Sequence, residues 1–231
     1  MPLFLPDLTH VAPTLDSGVS RRAEAAYRCA TQSGRLTQTL LIADMSKPSA
    51  ERRLWVFDLS DPTAPTLILR DRVAHGSGSD PRRSGVPERF SNAVDSGMTS
   101  LGLYRVAERY VGQQGRPAYS LDGLDDGFNS AARPRRVVLH PSDYVGERGP
   151  VGRSLGCPAV SPQTFQRLAK LGVEDGALLW IDGPDPALVQ APSLACADGV
   201  PAPEPLVCRL SVDRPWWQLA VGYSSGSTWG F

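Results

Sequence analysis

Residues 153–160 read RSLGCPAV, and a short way upstream residues 135–140 read RRVVLH. A structural cysteine usually sits inside an apolar strand or helix, or in a disulfide. Cys157 instead sits at a kink between Gly156 and Pro158. Glycine lets the backbone turn so that the N–H groups of Leu155, Gly156 and Cys157 face one side, and Pro158 drives Cys157 towards an extended conformation. Such a turn can present a nucleophile together with donors for an oxyanion. A thiol has a pKa of about 8.5 and attacks only as the thiolate, so it needs a base within reach.

The chain has only three histidines, His10, His75 and His140. His10 falls in a polar segment before the first helix. His140 ends the apolar strand VVLH, 17 positions before Cys157, and the loop YVGERGPVGRSL is long enough to fold back and bring the two together. His75 closes a second strand, VAH. Each strand-terminal histidine also reads as a half-buried residue satisfied by backbone.

Around these stretches the chain reads as mostly β. SRRAEAAYRCATQ (20–32) has helical spacing, with Asp16 or Ser17 as cap and Gly34 as stop. TLLIAD (39–44), RLWVFDL (53–59) and TLILRDRVAH (66–75) read as a β-meander. Residues 76–98 are poor in apolar anchors, and a loop of that length in a compact domain is often functional. LGLYRVAERYV (101–111), RRVVLH (135–140) and ALLWID (177–182) read as strands, and SPQTFQRLAKLG (161–172) as a helix opened by Ser161 and Pro162.

At 231 residues the chain suits one decorated domain with a sizeable core. Its 24 Lys plus Arg balance 24 Asp plus Glu, so no global field points to nucleic acid or an acidic membrane surface. The clusters Arg82, Arg83, Arg89 and Arg133, Arg135, Arg136 read as solvated loop charge or as a cleft for a carboxylate ligand. No apolar run is long enough for a membrane span. MPLFLPDLTH has the features of no intact secretory signal, so the chain is either cytosolic or a mature form. Cys29 reads as a small core hydrophobe. Cys196 and Cys208 flank a Pro-rich loop and read as a loop-closing disulfide or as two unpaired thiols. No cysteine spacing fits a structural zinc site, and neither metal nor cofactor is expected.

The segment H140PSDYVGERGPVGRSLGC157 resembles the active site of the YkuD-type L,D-transpeptidases, in which a histidine precedes an [ST]-H-G-C motif. VAHGSGSD, FSN, TSLGLY, LDGL, GFNSAARPRRVVLH and GRSLGCPAV, in that order, resemble the branch known as the murein L,D-transpeptidase catalytic domain. The resemblance implies a β-sandwich or barrel-like catalytic fold over residues 36–182, with an N-terminal helical segment (1–35) packed on it, one short helix after the cysteine, and a Pro-rich extension (183–231). It implies Cys157 as nucleophile, His140 as base, Ser154 and Gly156 as shapers of the loop, the carbonyl of Pro141 as the group that orients His140, and Tyr144 as an aromatic over the substrate. Leu155 stands where the wider motif has histidine, and Ala159 replaces a polar residue; both are traits of the branch. Arg153 reads as a donor or carboxylate anchor, or as a solvated loop arginine, and His75 as a groove residue or a structural one.

The reaction implied is acyl transfer between peptidoglycan stem peptides in the periplasm or cell envelope, with carbapenem-type β-lactams as covalent inhibitors. Hydrolysis of the same acyl-enzyme (an L,D-carboxypeptidase or endopeptidase) and a non-catalytic wall-binding module are the rival readings.

Overall fold

The structure, a computed structural model, describes residues 5–32, 37–112 and 115–190. Cys196, Cys208 and Gly34, with most of the extension after residue 183, lie outside the described residues. Among the described residues three α-helices accompany eight strands: α1 (Ser17–Gln32), β1 (Thr39–Asp44), β2 (Leu54–Asp58), β3 (Thr66–Asp71), β4 (Gly102–Val111), β5 (Pro117–Gly123), β6 (Val138–Pro141), β7 (Ala159–Val160), α2 (Pro162–Lys170), β8 (Leu178–Asp182) and α3 (Pro186–Gln190). The strands form one sheet in the order β3-β2-β1-β8-β4-β5-β6-β7.

β1, β2 and β3 are the expected antiparallel meander. β8 then pairs in parallel with β1, so strands far apart in the chain lie at the centre of the sheet. TLLIAD, LWVFD and LLWID are buried along nearly their whole length, which is why they read as continuous apolar runs instead of alternating ones. Register shifts in β2–β3 and β4–β5 help the sheet to curl. The curl brings its two ends together: Ala74, just past β3, bridges Ala159 on β7 with Ala74 N–H donating to Ala159 O at 2.8 Å. This near-closure is the barrel-like feature of the fold.

α1 begins at Asp16, whose carboxylate accepts the N–H of Gly18 and of Val19, a cap worth about 1 kcal/mol. Val19, Ala23, Ala26, Tyr27 and Ala30 bury its apolar stripe in the same core as the sheet. Arg22 fixes it further, donating from Nε and Nη2 to Asp182 at the end of β8. α2 is capped by Ser161, which accepts the Thr164 N–H at 3.1 Å. Phe165 of α2 stacks on Tyr119 of β5, centroids 4.8 Å apart, so the helix that follows the cysteine is held on the strand beside β6.

Several expectations are refined. The segment around His10 is an ordered 3-10 turn (Leu8–His10) capped by Asp7 and anchored by buried Leu8. Cys29, read as a small core hydrophobe, is half-buried and disulfide-bonded. β6 starts at Val138 because Arg136 adopts a left-handed backbone, φ 54°, which no strand accommodates.

Candidate active site

The parallel pairing of β6 with β7 sets His140 opposite Ala159 and Pro141 opposite Val160. Cys157 lies two residues before Ala159, just ahead of β7, and its thiol sits against the backbone at the start of β6. The half-buried Cys157 Sγ donates to the Arg136 carbonyl at 3.7 Å. Burial pushes its pKa up from 9.0, while the Val138 N–H and the charge of Arg135 partly offset that rise. Burial likewise holds His140 below 6.5, opposed by a hydrogen bond to Pro141 and reinforced by Arg116. At neutral pH the resting pair is therefore a thiol and a neutral imidazole.

His140 Nδ1 lies 3.1 Å from the carbonyl oxygen of Pro141. A carbonyl only accepts, so Nδ1 carries the proton and Nε2 keeps its lone pair free.

The turn carrying the thiol is closed on itself. Ser154 Oγ donates to the Cys157 carbonyl at 2.6 Å and accepts the Gly156 N–H at 3.1 Å. The Gly156 N–H, expected to face an oxyanion with its neighbours, is thus already engaged. Gly156 has φ 118°, and a Cβ there would stand 2.7 Å from Met98 O, so both conformation and space require glycine.

The family model described as "L,D-transpeptidase catalytic domain" matches residues 11–181. This chain belongs to that family.

No match was found among curated proteins. Among solved structures, this L,D-transpeptidase-family domain is similar to Bd1075 of Bdellovibrio bacteriovorus (17% identity, 63% of this chain and 48% of that one, TM-score 0.41). It is similar to the helical cell shape determining protein Pgp2 of Campylobacter jejuni (11% identity, 64% and 48%, TM-score 0.42). It is also similar to L,D-transpeptidase 1 of Mycobacterium tuberculosis (11% identity, 62% and 60%, TM-score 0.30). The chain therefore spans about half to three-fifths of the length of these proteins.

The remaining expected site residues of this L,D-transpeptidase-family domain divide into those at the surface and those beneath it. Leu155 is 83% exposed beside the thiol. Tyr144 is also exposed; its phenol is pushed up by burial of its inner part and, to a smaller degree, by the charge of Cys157. Gly152 leaves room for that ring, since a Cβ there would stand 2.7 Å from Tyr144 Cβ. Arg153 does not reach into solvent as a free anchor: its Nη1 donates to the Asp80 carbonyl at 2.6 Å, tying the cysteine turn to the 76–98 loop.

His75 does not line an open groove, because it is fully buried. Arg53 Nη2 approaches its Nδ1 to 2.8 Å, and Asp80 Oδ2 lies 3.6 Å from its Nε2. Arg53, also fully buried, donates to the carbonyls of Val73 and Lys47 as well.

Arg53 and Asp80, which flank His75, stand out in no motif of the sequence. Arg135 read with its neighbours as solvated charge or a carboxylate cleft, but its guanidinium points inward. It donates to Ser91 O at 2.8 Å, Ser100 Oγ at 3.0 Å, Ser96 Oγ at 3.3 Å and Met98 O. Its position within RRVVLH, just ahead of the strand that carries His140, was the one available clue. Arg133, by contrast, pairs with Glu108 and Asp122 at the surface.

Proposed function

We propose that the protein is a cysteine-dependent L,D-transpeptidase acting on peptidoglycan in the periplasm or cell envelope. The observation that carries the reading is the Pro141 carbonyl against His140 Nδ1, which leaves the Nε2 lone pair free on the strand that pairs with the one following Cys157. In the first half-reaction Cys157 Sγ attacks the carbonyl carbon of the L-centre at stem position three, and the thiol proton passes to His140 Nε2. His140 returns that proton to the amine of the departing D-amino acid, leaving a thioester. In the second half an acceptor amine attacks the thioester, its proton passes to His140, and the sulfur leaves to be reprotonated. The N–H groups of Leu155 and Cys157 are the donors assigned to the oxyanion, each worth about 2.7–4 kcal/mol in the barrier. Pro141 acts through its carbonyl alone, Ser154 and Gly156 hold the turn, Arg153 braces it, and Tyr144 and Leu155 form the substrate-facing rim.

The disulfide at Cys29 is in keeping with an oxidising compartment. Among the described residues no helix is long and apolar enough to cross a membrane.

Incubation with tetrapeptide muropeptides, followed by mass analysis, tests the reading. Cross-linked dimers and released D-amino acid are expected from the native chain and neither from Cys157→Ala. Clipped monomers alone would establish hydrolysis instead, and no turnover would leave a wall-binding module. A carbapenem should add its mass to native protein and not to Cys157→Ala.

A further inference from the structure

His75 is a fully buried imidazole set between a buried guanidinium and a buried carboxylate. A guanidinium only donates, so its 2.8 Å contact requires Nδ1 of His75 to be the acceptor and puts the ring proton on Nε2, facing Asp80. Burial, reinforced by Arg53, lowers the pKa of His75 to about 4, so the ring stays neutral at physiological pH. Arg53 remains cationic, with a pKa of about 10. The Arg53 contact thus fixes the tautomer of His75, while its buried Nε2, 3.6 Å from Asp80 Oδ2, has no hydrogen-bond partner.

The backbone around this ring grips the cysteine turn at several points. The His75 carbonyl accepts the Ser154 N–H at 3.0 Å, and the Ser77 N–H donates to the Ser154 carbonyl at 2.8 Å. One residue earlier, Ala74 pairs with Ala159 on the far side of the thiol. Asp80, the partner of the ring, offers its own carbonyl to Arg153. Between them Gly76 approaches Gly156 so closely that a Cβ on Gly76 would stand 2.8 Å from Gly156 Cα. Residues 74–80 therefore clamp the chain on both sides of Cys157, and the His75 side chain is the piece that joins the clamp to the buried Arg53.

We infer that His75 is a positioning residue: its imidazole, wedged between Arg53 and Asp80, sets the 74–77 clamp and so the placement of the Cys157 thiol. The inference rests on the reading of Cys157 as the nucleophile, and it assigns His75 no contact with substrate. Nothing on the surface is needed for it, since the ring acts wholly through the His75 carbonyl, Gly76 and Asp80.

The test compares His75→Asn, whose side-chain oxygen can still accept from Arg53, with His75→Leu, which fills similar space without an acceptor. The readout is the rate of iodoacetamide alkylation of Cys157, followed by mass spectrometry of its peptide well below the melting temperature of each variant. His75→Leu should slow alkylation about tenfold or more, because small displacements of a reacting group carry large rate penalties, and should lower kcat with little change in KM. His75→Asn should recover most of that loss. If His75→Leu does not fold, His75→Met supplies the same comparison with a more adaptable side chain. A native alkylation rate in the apolar variant, or equal losses in the Asn and apolar variants, would overturn the inference. Alkylation needs no peptidoglycan, so failure of the muropeptide assay would refute the proposed function and leave this result standing.

Discussion

Ser154 and Cys157 are joined by a 2.6 Å hydrogen bond from the serine hydroxyl to the cysteine carbonyl, with the same oxygen accepting the Gly156 N–H. One side chain thereby fixes the three residues that follow it. Ser154→Ala removes both bonds at a buried site, at about 1–3 kcal/mol for the groups left unpaired. Alkylation of Cys157 should slow in Ser154→Ala and recover in Ser154→Thr; equal rates in all three proteins would refute the role.

Gly156 admits no side chain. Gly156→Ala meets both a positive φ and the Met98 carbonyl, so a cost of about 1–3 kcal/mol is expected from the backbone alone. Thermal melting of the variant checks it, and the loss of turnover should exceed what the lowered stability explains at the assay temperature.

Arg135 braces the loop on the other side of Gly156 and lowers the thiol pKa through its charge. In Arg135→Leu that charge disappears, so the Cys157 pKa should rise further and alkylation at neutral pH should slow. A pH series of alkylation rates separates the two effects: a shifted midpoint reports the charge, and a reduced plateau reports the brace.

The pH profile of turnover follows from the two groups at the site. His140 must be neutral to accept a proton, and its pKa lies below 6.5. Activity should therefore fall only as pH drops below that value. In His140→Ala the thiol must ionise unaided, and with its pKa above 9.0 alkylation should rise only in strongly alkaline solution. An acid limb centred above pH 7 in the native enzyme would contradict the neutral resting pair.

Stability should carry the signature of His75. Its folded pKa, about 4, lies below the ordinary 6.5, so between those values the unfolded chain takes up a proton that the folded ring refuses. The contribution is complete above about pH 6.5, declines as pH falls towards 4, and amounts to on the order of 3 kcal/mol. Asp125 works in the opposite sense, since burial raises its pKa to about 7. Subtracting the denaturation curves of His75→Asn from those of the native chain cancels Asp125 and isolates the histidine.

Much of this architecture was legible before any coordinates. TLLIAD is strand β1 residue for residue, and Ser161–Pro162 marks the start of α2, because apolar runs and caps are local signals. The cysteine and its histidine were legible for a similar reason: a thiol at a Gly-Pro kink and a histidine ending an apolar strand both conflict with ordinary packing. The parallel pairing of β1 with β8 was not legible, since it depends on strands at opposite ends of the domain. Nor were the inward turn of Arg135 and the burial of Arg53 and His75. A charged residue shows its desolvation only through the carbonyls and rings that surround it, and those come from distant parts of the chain.

The bridge between Ala74 and Ala159 constrains how a peptide can approach the thiol. Strand β7 is two residues long, flanked on one edge by β6 and on the other by Ala74. At Ala159 neither edge is left open, so an extended peptide cannot add itself there as a further strand. On the proposed function, the substrate is therefore held by side-chain contacts, with the exposed Leu155 and Tyr144 as the available rim, instead of by a backbone ladder.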